Sequence, residues 1–532
     1  MNTSFKFSIP AAAALIAGCV VGPDFHRPDA DVPAAWHATQ APADAAVNSI
    51  PATATLSGAW WTSFNDPELV KLEDRVATTN LDLKVASIRL AESRASRNIT
   101  AAEQFPTLEG NTSLTREQAS ANGVLSETGV IATSASAASG ANGTGSGVAA
   151  APVGSQASAP FNVWQAGFDS SWELDLWGRV RRSVEAANAS VQSQADARRD
   201  LLVSTMAEVA RDYIQLRGTQ TVHTITLDNL SAAKDIERVT RERMANGLAT
   251  ELDVAEASAQ VATENALLPQ IEQQQAETIN RLSFLLGQTP GALRAELQVA
   301  APVPPTPPVV PVGLPSELAQ RRPDIREAEA NLHRATAEIG VAKADFYPSI
   351  TLSGSASLQA LQYEQLGNWS SHQFAIGPSL TLPIFEGGRL KATLNLRKEQ
   401  QQEAAVTYQR VVLSAWHEID NALTAYSAEQ QRRDQLEASV ADNQKALALA
   451  QAQYKGGLGS FLQVLTAERS LLSAQQDLSE NITEISTNLV SLYKALGGGW
   501  EATYPDNDAA HSTAASVTPA AQFASGSSDS RS

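Results

Sequence analysis

The chain predicts long α-helices joined to the strands of a membrane β-barrel, with the whole pattern written twice. Three observations carry that prediction. Stretches rich in Ala, Gln, Glu, Arg and Leu run for tens of residues. Other short segments alternate apolar and polar residues with period two. Both features recur at a constant offset, 210 residues from Gly247 to Gly457.

The repeat comes first, because a missed repeat misreads everything after it. Residues 167–180 (GFDSSWELDLWGRV) face residues 377–390 (GPSLTLPIFEGGRL), matching Gly167 with Gly377, Gly178 with Gly388 and Arg179 with Arg389. Residues 244–257 face 454–467, matching Gly247/Gly457, Leu248/Leu458, Thr250/Ser460, Leu252/Leu462 and Val254/Val464. Leu286-Gly287 faces Leu496-Gly497. Upstream, Phe105-Pro106 faces Tyr347-Pro348, so the first half carries about 32 extra residues in one loop. Each half reads as helix, strand pair, very long helix, tight turn, shorter helix.

The helical stretches run from Pro67 to Glu103, Arg179 to Ala245 and Thr250 to Leu286, then Pro323 to Asp345, Arg389 to Lys455 and Ser460 to Leu496. Their residues are good helix formers. Val411, Ala415, Ile419, Leu423 and Tyr426 recur at helical steps. Gly247 and Gly456-Gly457 read as turns between antiparallel helices. A helix of about 65 residues is about 100 Å long, which suits a coiled bundle or a tube wall.

The strands alternate. Ile350, Leu352, Gly354, Ala356 and Leu358 share one face, and only Ser and Thr occupy the other. Phe374, Ile376, Leu380, Leu382 and Ile384 continue the pattern on a return strand, as Trp164, Ala166, Phe168, Trp172 and Leu174 do in the first half. Apolar-out, polar-in segments of about ten residues suit outer-membrane barrels, and a soluble sandwich face gives the same period. One chain supplies about four such strands, whereas single-chain barrels need about eight or more. An open sheet edge in lipid leaves backbone groups unsatisfied, so copies must share a barrel, and three copies supply twelve strands.

The N-terminus places this pattern at an envelope. Lys6 precedes a short apolar run ending in Ile16-Ala17-Gly18-Cys19, which resembles a bacterial lipobox and contains the single cysteine of the chain. The reading is a leader over residues 1–18 and a lipidated Cys19, with Val20 favouring sorting to the outer membrane. Residues 19–66 then form the anchor and an extended segment, 67–300 the first repeat, 301–315 (APVPPTPPVVPVGLP) a stiff proline linker, and 316–499 the second repeat. Residues 119–160, almost wholly Ala, Ser, Gly, Thr and Asn, read as a flexible extracellular loop, and 500–532 as a disordered tail. The net charge of −18 argues against nucleic acid as a partner. Seven scattered histidines offer no metal cluster, and His417-Glu418 lacks the second histidine of a zinc helix. With no nucleophile elbow or phosphate-binding loop either, neither an enzyme nor a cofactor is expected.

Three stretches resemble the outer membrane factor family, the TolC-like ducts, in its NodT-type lipoprotein branch. The first is Cys19-Val20-Val21-Gly22-Pro23-Asp24-Phe25-His26-Arg27-Pro28, followed by Trp60-Trp61 and Phe64-Asn65-Asp66-Pro67. The second is Leu314-Pro315-Ser316-Glu317-Leu318 with Arg321-Arg322-Pro323-Asp324-Ile325-Arg326 and Glu329. The third is the paired turn at Gly247 and Gly457. The resemblance implies a homotrimer in which a twelve-stranded barrel is shared by three protomers above a tunnel of periplasmic helices. It also implies docking on a periplasmic adaptor and an inner-membrane pump of the resistance-nodulation-division (RND) type, and export of drugs, dyes or other small toxic compounds.

The resemblance further assigns residues. The hairpin tips, with Gly247, Leu248, Thr250, Gly457, Leu458 and Ser460, meet the adaptor; plain helix termination is the simpler reading of the same glycines. A periplasmic gate takes Tyr454, Lys455 and Leu462. The usual gate acids are replaced by Gly459 and Thr466, leaving Asp253 and Glu256 as alternative charges, or as a solvated helix face. Arg179 and Arg389 read as strand-to-helix joints. The rival readings are a type I secretion duct for proteins and a poreless periplasmic coiled-coil lipoprotein.

Overall fold

The computed structural model describes residues 20–28, 50–52, 58–118, 160–312 and 321–505. The leader, Cys19, most of the 119–160 loop, Leu314–Leu318 and the tail beyond residue 505 lie outside the described residues. The chain divides into two compact units.

One unit (residues 1–23, 98–184 and 337–397) is built on a four-stranded antiparallel sheet. With β1 kept for a short strand at Ile50–Ala52, its strands are β2 (Thr107–Glu117), β3 (Phe161–Leu174), β5 (Ser349–Ala360) and β6 (His372–Thr381), in that spatial order. The register keeps the alternation intact across all four. Leu114, Trp164 and Ala360 share one face, as do Phe168, Ala356 and Phe374. Glu109, Asp169 and Ser355 share the other. A slip of one residue would exchange the faces. The expected return strand is shorter than its pattern. It stops at Thr381, and exposed Leu382 and Ile384 lie beyond it, flanking Pro383, which has no N–H for a ladder.

At the strand-to-helix joint, Arg179 donates from Nε and Nη2 to both carboxylate oxygens of Glu173 at 2.9 and 2.7 Å. Arg389 pairs with Glu386 at the duplicate position. Burial pushes the Asp345 carboxyl up, and Arg179 and Arg389 oppose that shift. Both arginines therefore act in the joints.

The other unit (residues 24–97, 185–336 and 398–532) is mainly helical. Helices α1 (Pro67–Thr79) and α2 (Leu81–Ala102) precede the long helix α3 (Arg179–Ala245) and the shorter α4 (Glu251–Leu285). A turn of helix α5 (Arg294–Leu297), strand β4 (Val309–Pro311) and α6 (Pro323–Ala344) lead to α7 (Arg389–Lys455) and α8 (Phe461–Ala495). Helices α3 and α7 each have 67 residues, and α4 and α8 each have 35. No described helix is apolar enough over a sufficient length to cross a membrane.

The single helix expected from Pro67 to Glu103 is two. Asn80 interrupts it: its Oδ1 accepts from Leu83 N at 2.9 Å, capping α2, and its Nδ2 donates to the Leu285 carbonyl at 2.7 Å. On α7 the buried stripe runs from Tyr408 through Val412, Ala415, Ile419, Leu423 and Tyr426, and Val411 is partly buried against the same core.

The proline linker is not a free spacer. Residues 309–311 pair in parallel with β1. Ser486 Oγ donates to the Pro304 carbonyl at 3.4 Å, and just before the linker Arg217 donates to the Val299 carbonyl at 2.8 Å and Gln220 to the Leu297 carbonyl at 2.7 Å. Proline removes backbone donors, so helix side chains help to satisfy the carbonyls in and beside this segment. Packing also runs past residue 499. Buried Trp500 lies under the Arg199 guanidinium, Tyr504 lies under that of Arg198, and Arg199 Nε donates to the Tyr504 carbonyl at 3.0 Å.

Candidate functional site: an apolar strand face and two hairpin tips

The sheet presents an apolar face in the open. Leu108, Leu114, Phe168, Phe374, Ile376 and Leu380 are all exposed. Such a face is stable only against lipid or a partner. The opposite face carries Glu109, Glu117, Asp169 and Glu173 with Ser, Thr and Gln, and the described strand residues on that face include no Lys or Arg. That face suits water. Among the described residues, the outer strands β2 and β6 each pair on one side only.

The hairpin tips are built by backbone rules. Gly247 and Gly457 have φ of +73° and +75°, a conformation in which an L side chain is strained. Leu248 N donates to the Arg243 carbonyl and Leu458 N to the Gln453 carbonyl, both at 2.9 Å, closing the last turns of α3 and α7. The shorter helices then start on a hydroxyl residue. Thr250 and Asp253 form a reciprocal capping box: Asp253 Oδ2 accepts from Thr250 N at 2.8 Å, and Thr250 Oγ1 accepts from Asp253 N at 3.2 Å. Ser460 N donates to Gln463 Oε1 at 3.2 Å. Leu248, Leu252, Leu458 and Leu462 stand exposed around the two turns.

The predicted gate residues fall into different roles. Tyr454 is buried in a small core with Ala257, Phe461, Val464 and Leu465. Its hydroxyl donates to Thr240 Oγ1 at 3.4 Å. The Lys455 side chain is exposed, and its carbonyl accepts from Arg243 Nη1 at 3.1 Å. Leu462 is exposed. Asp253 is engaged by the cap, and Glu256 is half-buried.

Sequence reasoning missed two basic residues here. Arg243 lies over the Tyr454 ring, 4.6 Å from its centroid. Arg241 pairs with Glu237 at 2.6 Å, and Ser258 donates to the same carboxylate at 2.6 Å. Together they hold Glu237 below the usual carboxylate range, the Ser258 hydrogen bond contributing most. Their signal was the antiparallel pairing about the Gly247 turn, which brings Glu237 opposite Ser258.

The second sequence motif proves to be a brace. Buried Arg322 donates to the Ala495 carbonyl at 2.7 Å at the end of α8, and binds Asp324 at 2.7 Å and Glu418 at 2.9 Å. Those opposing acids hold its guanidinium more firmly charged, although burial acts the other way.

A sheet of four strands with one lipid-type face, joined in sequence to duplicated helical hairpins, defines a protomer of a TolC-like outer-membrane channel. The chain belongs to the outer membrane efflux protein family, whose profile matches residues 73–288 and 314–498. It is therefore an outer-membrane protein and the outer-membrane component of an efflux system.

The relatives agree. The chain is 33% identical over 518 residues to the toluene efflux pump outer membrane protein TtgC of Pseudomonas putida, covering 97% of this chain and 99% of that one. The antibiotic efflux pump outer membrane protein ArpC of Pseudomonas putida matches at the same identity and coverage. Among solved structures, the outer-membrane channel OprN superposes with a TM-score of 0.81 at 32% identity, over 91% of this chain and all of that one.

Proposed function

We propose that three copies of this chain close one twelve-stranded barrel and form a passive exit duct for small toxic compounds. The observation that carries the reading is the open sheet, in which β2 and β6 each lack a partner on one side among the described residues. A lipid-facing edge leaves backbone groups unsatisfied at several kcal/mol each, so the edges must meet in a neighbouring copy. Lipidation at Cys19 tethers each copy to the outer membrane. The tips at Gly247, Leu248 and Thr250, and at Gly457, Leu458 and Ser460, receive a periplasmic adaptor that links the duct to an inner-membrane pump of the RND type. Exposed leucines beside a backbone with no side chain at the turn support that docking. Tyr454, Lys455 and Leu462, with Arg243 added, form the periplasmic gate. The duct has no catalytic step; the pump supplies the energy. Toluene and antibiotic transport by the named relatives supports small, mainly apolar cargo.

Purified full-length protein in a planar bilayer tests the duct. Ion-conducting steps from a trimeric species are expected, and a monomer without conductance refutes the reading. Leu352→Arg is expected to weaken barrel assembly by about 2–4 kcal/mol if the residue sits mid-bilayer, read as lost trimer. Cys19→Ser is expected to abolish metabolic lipid labelling; unchanged labelling would refute the anchor. Deleting the gene is expected to sensitise cells to solvents or antibiotics. Loss of a secreted protein instead would favour a type I secretion duct.

A further inference from the structure

Two acidic side chains are buried where the hairpins pack together. Glu264 on α4 is 1% exposed and Glu468 on α8 is 2% exposed. They are not duplicates of each other, since the residues at the matching offset are Ala474 and Ser258. Gln260 Nε2 donates to Glu264 Oε1 at 2.8 Å, and Arg469 Nε donates across from α8 to Gln260 Oε1 at 2.8 Å. This chain of bonds ties α4 to α8. It leaves Glu264 Oε2 and Glu468 Oε1 without hydrogen-bond partners among the described residues.

A buried carboxylate in that setting tolerates a proton far better than a charge. Burial, then the nearby Glu264, pushes Glu468 up to about 7, and Arg469 opposes the shift. Burial also raises Glu264 against its hydrogen bond from Gln260. Glu264 and Arg469 are the charged groups acting on Glu468. Helices α3 and α7 contribute apolar Ile236, Leu447 and Ala450 to the cluster around neighbouring Val464 and Leu465, and Asn229 of α3 makes a neutral bond to Gln475. Five residues beyond Glu264, Pro269 lies inside α4. Its nitrogen carries no hydrogen, so the Asn265 carbonyl loses its helical donor and α4 is weakest there.

We propose that Glu264 and Glu468 form a proton-dependent latch between the two hairpins, holding α4 to α8 when protonated and releasing it about Pro269 when ionised. This rests on the reading of the hairpins as a gate. Linkage sets the sign. The packed arrangement binds protons more tightly than a separated one, so packing is favoured at acidic pH and loses stability as pH rises through about 7. The duct opens more readily in neutral to alkaline periplasm and closes on acidification.

The test records single-channel opening of the full-length protein from pH about 5.5 to about 8.5. Wild-type opening frequency is expected to rise by about tenfold or more, as a shift exceeding one pKa unit requires. The double variant Glu264→Gln, Glu468→Gln keeps side-chain shape without a titratable proton, and is expected to stay at the low-pH level throughout. A wild type that conducts with a flat pH profile, or a double variant that keeps the wild-type response, overturns the latch. Hydrogen exchange of the α4 peptide, corrected for intrinsic rates, gives an independent reading on wild type alone. Protection is expected to fall across the same range, and pH-invariant protection overturns the latch. Complete absence of wild-type conductance counts against the duct, and hydrogen exchange then decides the latch separately.

Discussion

The two hairpins share a backbone plan and differ in what holds their tips. Each joins a 67-residue helix to a 35-residue one through a glycine with positive φ. In the second, Tyr454 is 7% exposed and packs edge-on against buried Phe461, centroids 5.7 Å apart. Their duplicates in the first are Met244, 39% exposed, and exposed Glu251. The first tip instead leans on the second through Arg243. It also carries Pro269, where the second has buried Ser479. Turn geometry and helix length are backbone properties that duplication copies. Substituted side chains are then expected to leave the second hairpin the stiffer of the two, since its tip is better packed and its shorter helix lacks the proline.

Hydrogen exchange on the solubilised protein can break or sharpen that contrast. Phe461→Ala should have the largest effect, costing about 3–5 kcal/mol and stripping protection from the start of α8 and the end of α7. An effect confined to the first hairpin would reverse the assignment of stiffness. Pro269→Ala should slow exchange in α4, since an interior proline costs a helix about 3 kcal/mol; unchanged α4 rates would mean that the proline is not the source of compliance. Gly247→Ala and Gly457→Ala should each cost about 1–2 kcal/mol and to a similar extent. A Cβ at either site meets nothing within 4 Å, so only backbone strain is tested. Clearly unequal costs would show that the tips differ in backbone as well. Thr250→Ala should have the smallest effect, about 1 kcal/mol, seen as fraying of the first turn of α4.

Much of this was legible in residues alone. Glycines at a fixed offset marked both turns, because few other residues tolerate that φ. Period two marked the strand faces, because side chains alternate whatever the partner. The interruption at Asn80 was not legible. An asparagine inside a helical run is ambiguous until the Leu285 carbonyl arrives to receive its amide. Nor was the role of Asp253 legible, since a carboxylate three residues after Thr250 reads equally as a cap or as a gate charge. The linker misled for the same reason. Its proline content predicts stiffness and is silent on β1 and Ser486, which come from other parts of the chain.

The repeat, the period of each element and the shortage of strands for a closed cylinder could be read from residue order, because they depend on local order along the chain. Which charges meet depends on the folded arrangement. Arg243 over Tyr454, Arg322 on the end of α8 and Gln260 between Glu264 and Arg469 are contacts between residues far apart in sequence. Their energies depend on distance and burial, which no local pattern encodes.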